Sequence, residues 1–179
     1  MTSIIKVDTI QTAAGGTPTA ASLGIGGTIG QVVSTTKTDT FTTTLTSLTD
    51  VTGLSVSITP SSTSSKILVF GYLSGNSTAG STNGHFSLIE NSTQIAVGDA
   101  SSNRRQETGM ILVTAATDQV TNQFFSILRS PSTTSPLTYK VQVVCNGSGT
   151  IYVNRSLTDS DTSAYPRTAS TITAMEVLV

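Results

Sequence analysis

The chain has 179 residues, a formal net charge of −1 and a single cysteine. Charged residues supply only 11% of it, and Lys and Arg form no stripe that would track a phosphate backbone, which removes the usual electrostatic basis for nucleic-acid binding. No apolar run approaches the roughly 20 residues that cross a bilayer. The opening lacks a secretory apolar core, and one cysteine excludes an internal disulfide framework. Assembly in a cytoplasm, without membrane insertion and by packing or oligomerisation, is therefore expected.

Ser and Thr make up about a third of the chain while hydrophobic residues reach only 36%. Intrinsic disorder normally brings high net charge, which is absent here. A polar but uncharged composition suits β-structure, because Thr is β-branched and fits a pleated strand while Ser and Thr populate turns.

In chain order, residues 1–30 read as an extended arm. A short apolar alternation at Ile4, Ile5, Val7 and Ile10 precedes a Gly/Ala/Thr tether. The glycines at Gly15-Gly16 and Gly24-Ile25-Gly26-Gly27 match neither the dinucleotide fingerprint nor the P-loop, so no cofactor is expected. From Gln31 to the end the period is two, as in half-buried strands. Leu54, Val56 and Ile58 alternate with polar residues, and so do Tyr139, Val141, Val143 and Cys145. Further strands are expected at 31–34, 41–45, 66–73, 85–90, 94–97, 109–114, 123–129, 150–154 and 171–179. About ten short strands without helical periodicity predict an all-β fold, an antiparallel β-sandwich or jelly roll over residues 31–179. Ile67-Leu68-Val69-Phe70 with Tyr72-Leu73, and residues 172–179, carry apolar side chains on both faces. A second apolar face points to burial against another subunit, with Phe70, Tyr72 and Leu178 as interface residues, or to cover by a loop.

The opening Met1-Thr2-Ser3-Ile4-Ile5-Lys6-Val7-Asp8-Thr9-Ile10-Gln11 resembles that of virion structural and tail-fibre-like proteins of marine tailed bacteriophages, cyanophages among them. Residues 49–69, together with Val97-Gly98-Asp99-Ala100 and Ile172-Thr173-Ala174-Met175-Glu176, resemble phrases of those proteins' C-terminal domains. The resemblance implies a homotrimeric, β-rich fibre or knob. One departure stands out: arm and final domain are almost contiguous here, where a long fibre would carry a shaft of repeats between them.

Catalytic constellations are sparse. His85 is the only histidine, so any Ser-His-Asp arrangement must be built on it, and a structural role is the better reading. Cys145 shares a face with Val141 and Val143 and reads as a buried, inert thiol. Three Glu and seven Asp show no glycosidase pair. Asp159-Ser160-Asp161 lacks the glycine and distal Glu of a Ca²⁺ loop and reads as a turn. Arg104 and Arg105, with Tyr165 and Arg167, are candidates for a surface-binding loop that contacts an anionic sugar of a host-surface glycan or a neighbouring capsid or tail subunit. The reading that follows is a non-enzymatic virion protein without metal or cofactor. It is a short tail fibre, spike or adaptor whose residues 1–30 dock on tail, neck or capsid proteins through Ile4, Ile5, Val7 and Ile10. The alternative is a capsid or head decoration protein that stabilises neighbouring subunits without receptor binding.

Overall fold

A computed structural model describes residues 27–78, 84–111 and 118–179. Among these there is no helix; eleven strands run in the order β1 (Thr28–Lys37), β2 (Phe41–Thr43), β3 (Thr49–Ile58), β4 (Lys66–Ser77), β5 (Gly84–Glu90), β6 (Thr93–Ile95), β7 (Gly109–Ile111), β8 (Thr121–Arg129), β9 (Leu137–Cys145), β10 (Ile151–Val153) and β11 (Ser170–Leu178). Every strand the alternation predicts is present. Most boundaries move by one to four residues, and two of the shifts have a clear cause. Gly27 donates its N–H to the Leu178 carbonyl at 3.0 Å, which starts β1 three residues before Gln31, inside the stretch read as tether. β4 runs on through Ser74-Gly75-Asn76-Ser77, where the absence of large apolar residues had hidden it.

All pairings are antiparallel. One sheet has the order β1-β11-β4-β8, with β10 and β2 continuing from the far end of β4; the other runs β3-β9-β5, with β6 and β7 sharing the outer edge of β5. Neighbours drawn from the early and late halves of the chain are the mark of jelly-roll winding, so the fold is a jelly-roll sandwich. Between the sheets lies one apolar core containing Leu54, Val69, Leu73, Phe86, Tyr139 and Ile172.

Two polar networks tie the elements together. Arg129 of β8 sends Nε and Nη2 to the two Glu90 oxygens at 3.1 and 2.9 Å, and the buried Tyr139 hydroxyl donates to Glu90 at 2.9 Å. These contacts join the two sheets. The guanidinium holds the Glu90 carboxyl below its ordinary range, and burial with the Glu90 charge pushes the Tyr139 hydroxyl up. Asn154, fully buried, donates to the carbonyls of Lys37 and Asp39 and accepts from Ser170, whose oxygen accepts the Ser74 N–H. That chain ties the β1–β2 corner to β4 and β11.

Candidate interface on the outer face of the first sheet

Strand alternation divides the side chains of the first sheet between its two faces. In β4, Ile67, Val69 and Leu73 enter the core, so Leu68, Phe70 and Tyr72 stand outside. In β11, Ile172 and Ala174 enter the core, so Thr171, Thr173, Met175 and Val177 stand outside. In β8 the doublet Phe124-Phe125 puts one ring on each face: Phe125 is buried and Phe124 is 75% exposed.

Register then assembles rows across the outer face. Val32, Met175, Leu68 and Leu128 face one another in successive pairs through β1, β11, β4 and β8. Four strands place the ends of this row about 14 Å apart. The third row is Thr36, Thr171, Tyr72 and Phe124, and Phe70 lies between the two with Ser34, Thr173 and Ser126. Tyr72 and Phe124 pack with ring centroids 5.7 Å apart. Gly71 sits beneath this pair. A Cβ there would collide with the Thr171 carbonyl and the Phe125 ring, so glycine lets β11 approach and Phe125 cover the gap. None of the three rows carries a charged side chain. The result is a shallow apolar depression, with Val32 and Leu128 each 52% exposed.

Of the interface residues named from sequence, Phe70 and Tyr72 sit together on this face. Leu178 does not join them: it takes the inward register with Glu176, and a Cβ added at Gly30 would meet its side chain. The outward residue is Val177. Leu68, Phe124, Leu128, Val32 and Met175 were not singled out, although the doublet Phe124-Phe125 carries the same two-faced signal as Leu68-Val69. Ile4, Ile5, Val7 and Ile10 lie outside the described residues.

The proposed surface-binding residues are split between the sheets. Arg104 and Arg105 are exposed on the β6–β7 loop at the edge of the second sheet, and Arg105 lies 3.8 Å from Glu107. Tyr165 and Arg167 belong to the β10–β11 loop of the first sheet. Arg167 is held by Asp159 at 2.6 Å, and Arg155 reaches the same carboxylate at 3.4 Å. His85 on β5 is half-buried, and burial lowers its pKa. Cys145 is buried, its thiol pKa raised by burial, and its Sγ–H donates to the Thr43 carbonyl at 3.4 Å.

No protein-family model matches the chain, and no curated protein matches it. Among solved structures it is similar to the structure of infectious bursal disease virus Gx strain, with 13% identity, a TM-score of 0.40, and cover of 83% of this chain and 42% of that one. It is also similar to the infectious bursal disease virus VP2 subviral particle, with 13% identity, a TM-score of 0.42, and cover of 83% and 41% respectively. The chain thus spans about two fifths of the length of each.

Proposed function

We propose that the chain is a non-enzymatic virion structural protein, a short tail fibre, spike or adaptor. Its N-terminal arm docks on the particle through Ile4, Ile5, Val7 and Ile10, and its jelly-roll domain associates with two further copies of itself. The observation that carries this reading is the uncharged apolar face of the first sheet. Soluble monomers rarely leave a contiguous apolar patch of this kind open, and such patches mark contact surfaces. A second copy of the chain is the occupant the face suits best. With no charged side chain in the rows, like faces meet without like-charge repulsion; Leu, Met, Val and aromatic side chains bury beside hydroxyls of which Ser34 and Thr173 already bond each other and Thr171 bonds the Thr35 carbonyl. The count of three comes from the resemblance to phage virion proteins. A threefold assembly gives three weak host contacts an avidity gain of roughly 10² to 10⁴.

The arm supplies the direct test. Particles produced with the chain lacking residues 1–12 are expected to lose this protein while the truncated chain remains folded in the cell lysate. Normal incorporation of the truncated chain would overturn the docking role, and absence of the full chain from purified particles would overturn the virion reading as a whole.

A further inference from the structure

The connection between β10 and β11, residues 154–169, is the longest among the described residues. A loop of that length without a strand of its own is uncommon in a compact domain and is commonly kept for function. Here it is built stiff. Arg155 stacks 4.6 Å above the Tyr152 ring centroid, and its guanidinium donates to the carbonyls of Ser156 and Leu157 at 3.0 and 2.8 Å. Thr162 N–H donates to Ser160 and Tyr165 N–H to Thr162, at 2.8 and 3.2 Å. A bridge between Arg155 and Arg167 closes the base of the loop.

Within this frame Asp159 is spent on two guanidiniums. Asp161 and the Tyr165 hydroxyl form no hydrogen bond or ion pair among the described residues. Both line the same depression of about 280 Å³, with Asp159, Ser160, Thr162 and Arg167 completing it. We infer that this depression is a saccharide site that takes one neutral hexopyranose unit. A sugar ring offers adjacent hydroxyls that donate to a carboxylate and accept from a guanidinium, and an apolar C–H face that stacks on an aromatic ring; Asp161, Arg167 and Tyr165 supply these three partners. Arg155, Arg167, Asp159 and Asp161 sum to zero charge, so the site has no field that selects an anion. The volume lies just below the roughly 300–1,000 Å³ of drug-sized pockets, which suits a single ring. A bound divalent cation is disfavoured, since two guanidiniums occupy Asp159 and no group of three or more His, Cys, Asp or Glu gathers among the described residues.

The inference rests on the host-contact part of the proposed function and assigns it to the β10–β11 loop, without Arg104 and Arg105. The test is an amide-resolved NMR titration of the full chain with the methyl glycosides of glucose, galactose and mannose, and with N-acetylneuraminate and CaCl₂ as charged probes. At least one neutral glycoside should shift the signals of residues 155–169 saturably, with a dissociation constant on the order of millimolar. Asp161→Asn and Tyr165→Ala should each weaken that binding at least tenfold, and Arg104→Ala should leave it unchanged. Shifts at these residues only with N-acetylneuraminate or Ca²⁺, or none with any neutral glycoside, would overturn it. The virion role stands or falls separately: a chain incorporated into particles that binds no glycoside refutes the saccharide site alone.

Discussion

Glu176 shows how one residue decides the register of a strand. It is almost fully buried and forms no ion pair among the described residues, yet its carboxylate accepts the Ser61 N–H at 2.6 Å, the Ser61 hydroxyl at 2.7 Å and the Gln31 amide at 2.8 Å. Burial alone would raise its pKa; the hydrogen bonds to the charged form outweigh it and hold the carboxyl down to about 2. Because the folded value lies below the ordinary 4.5, the stabilisation is complete above about pH 4.5 and is lost as pH falls towards 2. Glu176→Gln should therefore cost about 1–3 kcal/mol at neutral pH, and the gap between the two proteins should close as pH drops. Urea unfolding of both at pH 7 and pH 3 checks this. An equal gap at the two pH values would contradict the ionised state assigned to Glu176.

Among the elements, β8 is held by its ladder to β4 and, at its end, by a side chain that reaches the second sheet. Arg129 fastens its end across the sandwich to Glu90, so Arg129→Ala leaves the Glu90 carboxylate without its cation and with the Tyr139 hydroxyl as its remaining donor. The loss should be about 1–3 kcal/mol, read as a lower urea midpoint, and Glu90→Ala combined with Arg129→Ala should cost less than the sum of the two alone. Additive costs would show the pair to be uncoupled. Most strands were legible because strict alternation declares both the strand and its phase, as at Leu54-Val56-Ile58 and Tyr139-Val141-Val143. Legibility failed where apolar residues run consecutively. Val177-Leu178-Val179 does not say which residue faces in, and the deciding neighbour, Glu176, is a charged residue placed inside against the usual pattern. The face was half legible for the same reason: Phe70 and Tyr72 betray a second apolar side on β4, but the row through Val32, Met175 and Leu128 exists only once four strands are paired. The saccharide depression was less legible still. Asp159 and Asp161 look alike in sequence, and only the folded loop shows the first neutralised by Arg155 and Arg167.

At the scale of the whole molecule, the two faces of the first sheet have different duties. The inner face shares a core with the second sheet and makes the domain; the outer face of β1, β11, β4 and β8 carries apolar, Ser and Thr side chains, with Lys66 at its margin. Burying a large apolar side chain is worth roughly 1.5–3 kcal/mol, so a handful of such residues from each copy supplies a substantial part of an association energy, whereas each left in water gives none. Specific interfaces bury about 800 Å² per partner, so the three rows form the centre of the contact, with Ser34, Thr173 and Ser126 enclosed among the apolar side chains. The most direct measurement is the native mass of the full-length chain beside that of Phe124→Asp and Phe70→Asp. Phe124 is 75% exposed, so its replacement leaves the domain fold intact while placing a charge in the interface. The account predicts a trimer for the unaltered chain and folded monomers for both variants. A monomeric unaltered chain at micromolar concentration, or an oligomer that survives both substitutions, would contradict it.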